Sequence, residues 1–145
     1  MSESYREMRD RHQAEFNAFA DKHIFFAYDD KQFNKGLARF GLAHTKEDMK
    51  KLVRIESGAY MLRERVPELK ADYERRRAEL LAACDADQTG EGFLYQMFLC
   101  ELTDHEYCYT LDPEEAVECT PYTLEEIEAD PRLSHALEKA MRRAK

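Results

Sequence analysis

Apolar residues recur at three- and four-residue steps from the start of the chain. Tyr5, Met8, His12, Phe16 and Phe19 fall on one stripe, which predicts an amphipathic helix over residues 4–22. Ser4 and Glu7 stand at its head with the spacing of a capping box, in which each side chain satisfies a backbone N–H at the helix start. The pattern changes at Ile24-Phe25-Phe26-Ala27-Tyr28, a continuous apolar run closed by Asp29-Asp30, which reads as a short buried strand. Asp29 or Asp30 then caps a helix to about Phe40, with Phe33, Leu37 and Phe40 on one face and Gly41 as its left-handed stop.

Thr45-Lys46-Glu47-Asp48 predicts another helix start, carrying Met49, Leu52 and Val53 inward. Ser57-Gly58 lies between two apolar stretches, which predicts a β-hairpin with strands near 53–56 and 59–63. One helix running through Gly58 is the alternative, at about 1 kcal/mol relative to alanine. The hairpin is preferred because the 24–28 segment can join it as a third strand, and two strands alone are marginal.

Pro67 suits a first helical position, and the helix 67–84 turns Leu69, Tyr73, Leu80, Leu81 and Cys84 inward. Residues 85–92 form the clearest loop, followed by a helix over 92–104 carrying Phe93, Leu94, Met97, Phe98 and Leu102. Tyr107-Cys108-Tyr109-Thr110 reads as a short strand. Asp112-Pro113, the capping box Thr123–Glu126 and Asp130-Pro131 mark three more helix starts, the last turning Leu133, Leu137 and Met141 inward. No internal repeat and no linker is visible. The expectation is one α+β domain over residues 1–145, mostly helical, with a small antiparallel sheet of two or three strands.

Composition narrows the class. The chain has 145 residues, 43% of them hydrophobic and 36% charged, which suits a single globular domain. Its apolar runs are far short of the roughly 20 residues of a membrane span. The start is polar and lacks the apolar core of a secretory signal, so a cytoplasmic protein without membrane contact is expected.

The net charge of −8 is unevenly spread. Residues 101–130 hold eleven acids and no Lys or Arg, whereas residues 131–145 hold five bases and one acid. The acidic stretch repels a phosphate backbone and disfavours nucleic acid as a partner, although Arg75-Arg76-Arg77 and the basic tail leave a local basic face open. Such a surface keeps a protein soluble, and it can also meet a basic protein partner, with Glu114, Glu115, Glu118, Glu125 and Glu126 as contact residues. Simple solvation is preferred to a face that meets a basic partner, whether or not as a mimic of nucleic acid, because the acids alternate with Leu102, Tyr107, Leu111, Val117, Leu124 and Ile127.

Candidate chemistry is sparse. Asp85, Asp87, Thr89 and Gly90 match the first half of a calcium-binding EF-hand loop, but Gln96 stands where the bidentate Glu closes the shell, so a turn built on aspartates is the preferred reading. Of the cysteines Cys84, Cys100, Cys108 and Cys119, none forms CxxC. The nearest metal-like cluster is Cys100, His105, Cys108 and Cys119, with His105 and Cys108 the closest pair and the candidate zinc ligands. Against this, Cys84 and Cys100 read as small core residues. His12, His23, His44 and His135 read as packed or solvated, and eleven acids without a pattern single out no catalytic pair. The aromatic positions Phe16, Phe19, Phe25, Phe26, Phe33, Phe40, Tyr60, Tyr73, Phe93 and Phe98 read mostly as core, and the helix 1 stripe could instead be completed by a second copy in a homodimer.

Three stretches carry a resemblance: Phe25 to Leu37 (FFAYDDKQFNKGL), Glu101-Leu102 with His105-Glu106-Tyr107-Cys108, and Tyr122 to Ile127 (YTLEEI). Together they resemble a domain of unknown function in small uncharacterised proteins of Firmicutes and their phages or prophages. The resemblance implies an intracellular accessory protein and transfers no catalytic residue. The leading expectation is therefore a non-enzymatic interaction protein with an unknown protein partner and no cofactor. A metal-binding protein and a small hydrolase-like enzyme are the alternatives.

Overall fold

The computed structural model describes residues 3–145. Two long helices, α1 (Tyr5–His23) and α4 (Val66–Ala86), frame a compact β-containing segment. Between them lie β1 (Ile24–Phe26), α2 (Asp30–Arg39), α3 (Lys46–Met49), β2 (Leu52–Glu56), β3 (Ala59–Leu62) and a 3-10 turn at Arg63–Arg65. After α4 come α5 (Phe93–Asp104), α6 (Tyr107–Thr110), α7 (Glu114–Glu118), α8 (Leu124–Ala129) and α9 (Pro131–Ala144). The protein is α+β and mostly helical, as its patterning predicts. No helix among the described residues is long and apolar enough to cross a membrane.

The chain's contacts group into two compact units, His12–Glu74 and the chain up to Arg11 together with Arg75–Lys145. In the unit His12–Glu74 the three strands are antiparallel in the order β1-β3-β2. The hairpin β2–β3 turns at Gly58, whose φ of 79° needs a residue without Cβ. Side chains alternate across the sheet. Ile24, Ala59 and Met61 face one side and pack with Phe19, Val53, Val66 and Leu69. Phe25, Ala27 and Leu52 face the other and pack with Leu37, Phe33, Phe40 and Tyr60. The Phe25 ring stacks on Tyr60 at 5.4 Å and meets Phe40 edge-on at 5.3 Å.

The other unit is built on α5, which is buried at Leu94, Met97, Phe98, Cys100, Glu101 and Leu102. It packs with α9 through Leu133, Ala136, Leu137 and Ala140, and with Ala116, Val117 and Ile127 from α7 and α8. The first turn of α1 adds Tyr5, whose ring meets Phe93 edge-on. Cys84 and Cys100 are core residues here, as expected.

Local capping rules hold closely. Ser4 and Glu7 exchange hydrogen bonds of 3.0 and 3.2 Å. Asp29, Thr45, Thr123 and Asp130 cap α2, α3, α8 and α9 through their side chains. Gly41 is left-handed, with φ 71°. Four expectations are corrected. Tyr107–Thr110 is one helical turn rather than a strand, bracketed by Glu106 and Leu111 in the left-handed region (φ 56° and 55°). The helix begun at Thr45 stops at Met49, and Leu52 and Val53 belong to β2, where the sheet supplies their hydrogen-bond partners. Tyr73 and Phe26 are 61% and 53% exposed instead of core, because α4 buries only Cys84 fully and Phe26 lies at the end of the edge strand β1.

Candidate functional site

Glu101 is the one buried charged residue among those described. It sits in the last turn of α5, and its Oε1 accepts a 2.5 Å hydrogen bond from the Tyr5 hydroxyl and a 3.1 Å bond from Arg9 Nη1. The same Arg9 nitrogen reaches Asp104 Oδ2 at 2.6 Å. A buried carboxylate needs such compensation, because desolvation costs several kcal/mol. Burial, reinforced by the Glu101 hydrogen bond, holds the Tyr5 hydroxyl well above the usual phenol range. The Arg9 guanidinium is raised above its ordinary range, chiefly by its bond to Asp104.

His105 follows four residues after Glu101, one helical turn on and on the same face. Its Nδ1 lies 2.8 Å from the Glu101 carbonyl oxygen and 3.8 Å from Glu101 Oε2. A carbonyl only accepts, so Nδ1 is the donor in this contact. Cys119, at the C-terminus of α7, places Sγ 3.4 Å from His105 Nε2. Cys119 is exposed. Burial of its sulfur, followed by the nearby charges of Glu101, Glu118 and Glu115, pushes the thiol upward. Ligand atoms of Glu101, His105 and Cys119 lie within 4.8 Å of one another.

The structure thus brings His105 to Cys119, while Cys108, its nearer neighbour in the chain, sits exposed on α6 outside the group. Of the cluster Cys100, His105, Cys108 and Cys119 expected from the sequence, the fold brings together His105 and Cys119, while Cys100 is buried in the core; Glu101 is the member that reading lacks, and the meeting of the three depends on how α7 folds back onto α5.

The loop at Asp85 is organised around one side chain. Asp87 accepts from the backbone N–H groups of Gly90, Gly92 and Leu94, each at 3.0 Å, and from the Thr89 hydroxyl at 3.3 Å. It thereby caps α5, whose own N-cap residue, Gly92, has no side chain to do so. Burial raises the Asp87 carboxyl, but the donors from Leu94, Gly90, Gly92 and Thr89 outweigh it and hold it below the usual range. Asp85 points outward, with Oδ1 4.0 Å from Arg132 Nη2. Arg132 Nη1 donates to the carbonyls of Cys84, Asp85 and Asp87, closing the C-terminal end of α4.

Glu114, Glu115, Glu118, Glu125 and Glu126 are all exposed on α7 and α8. Glu126 is committed to the Thr123 capping box. Among the described residues, Glu114, Glu115, Glu118 and Glu125 make no ion pair. Tyr109, Leu111 and Leu124 are exposed apolar groups in the same stretch of chain.

No curated protein and no solved structure matches the chain. One family model does, a family of unknown function (DUF7659), over residues 4–143, and that span places the protein in this family.

Proposed function

We propose that this protein is a non-enzymatic interaction protein whose contact face is the acidic surface of α7 and α8, and that its partner is a basic protein surface. The observation that carries this reading is the set of solvated carboxylates on Glu114, Glu115, Glu118 and Glu125, which no basic side chain of the described chain neutralises. Their field attracts cationic surfaces and speeds encounter with them. Exposed Tyr109 and Leu111 in the same segment offer the apolar contact that usually carries affinity, with charge supplying orientation and rate. An accessory role in a bacterium or its phage rests on the resemblance in Phe25–Leu37 and the two later stretches.

The test is affinity capture from the native host with the full chain and with a variant carrying Glu114→Lys, Glu115→Lys, Glu118→Lys and Glu125→Lys. Captured proteins are identified and their binding is then measured with purified components at low and high salt. The expected result is a basic partner whose association falls at least tenfold in the variant and weakens with salt. Retention of every captured partner by the variant discards the acidic face.

A further inference from the structure

We propose that Glu101, His105 and Cys119 form a binding site for a zinc-class divalent cation, with ligand atoms Oε2, Nε2 and Sγ and a fourth position open to solvent. This proposal stands independently of the acidic face.

The donor set is the first argument. One carboxylate, one imidazole and one thiol make a mixed O, N and S set that suits zinc and its soft relatives, and three protein ligands with an open position is a recurrent zinc arrangement. The geometry is the second. Zinc bonds of about 2.0–2.3 Å require ligand atoms roughly 3.3–3.8 Å apart. His105 Nε2 and Cys119 Sγ already meet that requirement at 3.4 Å. One ligand atom from each of the three residues lies within 4.8 Å of the other two, about 1 Å beyond the spacing that a bound zinc requires.

Each ligand is also prepared by its surroundings. A metal-binding histidine characteristically donates its second ring nitrogen to a carbonyl or carboxylate, which fixes the tautomer. His105 Nδ1 does so to the Glu101 carbonyl, leaving Nε2 free on the Cys119 side. Tyr5 and Arg9 both hold Glu101 through Oε1, which anchors the carboxylate, while Oε2 makes only a long 3.8 Å approach to His105 Nδ1. Cys119 is exposed, so an ion has a path in.

The local field separates this assignment from its main rival, a thiol–imidazole nucleophile. A nucleophilic cysteine needs positive surroundings that favour its thiolate. Cys119 instead has Glu101, Glu118 and Glu115 around it, with Arg9 as the opposing charge. Carboxylates that disfavour a bare thiolate favour a dication, and a bound dication in turn stabilises the thiolate. Binding releases the Cys119 thiol proton to solvent, so affinity for the ion rises with pH.

The experiment uses the full chain, stripped with a chelator and titrated with Zn2+ against a chromophoric competitor, and separately with Co2+ in the absence of oxidant. The expected result is one ion per chain at micromolar affinity or tighter, with a thiolate-to-cobalt charge-transfer band. Cys119→Ser abolishes that band and weakens Zn2+ binding at least tenfold, and His105→Gln weakens it similarly. Both positions lie outside the fully buried core, and circular dichroism checks that the variants fold. Cys108→Ser is the control and leaves binding and band unchanged. Absence of Zn2+ binding, or binding that survives Cys119→Ser, overturns the proposal. So does iodoacetamide labelling that is faster at Cys119 than at Cys108 and depends on His105 while no cobalt–thiolate band forms, since the group would then be a nucleophile.

Discussion

At the scale of single residues, Asp87 shows how a side chain with a metal-like place in the sequence can be absorbed by the backbone. Its position in an Asp-x-Asp-x-Thr-Gly run was visible in the chain, but its four hydrogen-bond donors were not, because Leu94 lies seven residues away across a turn. One carboxylate satisfies three backbone N–H groups where Gly92 offers none, so Asp87→Ala strands donors at the start of the best-buried helix. The expected loss is about 2 kcal/mol, at the scale of unsatisfied buried donors, read as a lowered midpoint in urea unfolding. The pH dependence has a definite sign. Because the folded-state carboxyl is held below its unfolded value, its stabilisation is fully present above the unfolded value near 4 and is lost as pH falls through the folded one. The difference in unfolding midpoint between wild type and Asp87→Asn should therefore be constant from pH 7 to about 5 and shrink below about 4. A difference that holds unchanged down to about pH 2 removes the charged cap from the account.

Among the elements, the local ones were legible and the folded-back ones were not. Capping boxes, Gly41 as a stop and the turn at Gly58 each depend on residues within a few positions, and each appears where the pattern puts it. Tyr107–Thr110 was misread because its apolar pattern fits strand or helix alike, and what decides is the left-handed backbone at Glu106 and Leu111, which non-glycine residues rarely announce. The glycine in α2 makes a related point. Helix propensity predicts that Gly36→Ala stabilises by about 1 kcal/mol. In the folded helix, however, a Cβ at Gly36 would lie 2.1 Å from the nearest carbon of the Phe25 ring. That ring is buried and packed against Phe33, Phe40 and Tyr60, so displacing it disturbs all three contacts. Gly36→Ala is expected to destabilise by about 1–3 kcal/mol, as overpacking does. Thermal unfolding of Gly36→Ala, Phe25→Leu and the double variant measures it, with Phe25→Leu relieving part of the cost in the double-mutant cycle. A rise in midpoint for Gly36→Ala alone would mean that α2 shifts freely from the sheet.

For the molecule as a whole, the charge asymmetry was legible from composition, and its consequence depends on which charges the fold has paired. The chain carries −8, and its densest acids, in residues 101–130, divide into two kinds. Glu101 and Asp104 are held by Arg9, whereas Glu114, Glu115, Glu118 and Glu125 stand exposed and without ion pairs among the described residues. Salt acts oppositely on repulsion and on attraction. It screens repulsion among the exposed acids over a length of about 10 Å at 0.1 M, and it also weakens surface attractions such as Arg75–Glu79 and Arg65–Glu68. Exposed pairs of that sort contribute only about 0–1 kcal/mol each, and the buried Glu101 contact is less screened. Repulsion is therefore the larger salt-sensitive quantity, and the unfolding midpoint should rise by a few degrees as NaCl goes from about 0.01 to about 0.5 M in chelator-treated buffer. Replacing Glu115, Glu118 and Glu125 with Gln should raise the low-salt midpoint and flatten that rise. The chelator matters, because a dication at Cys119 would stabilise the fold by mass action and imitate the effect of screening. A midpoint that falls with salt in wild type would show that the attractive pairs dominate, and that the acids on α7 and α8 cost the fold nothing.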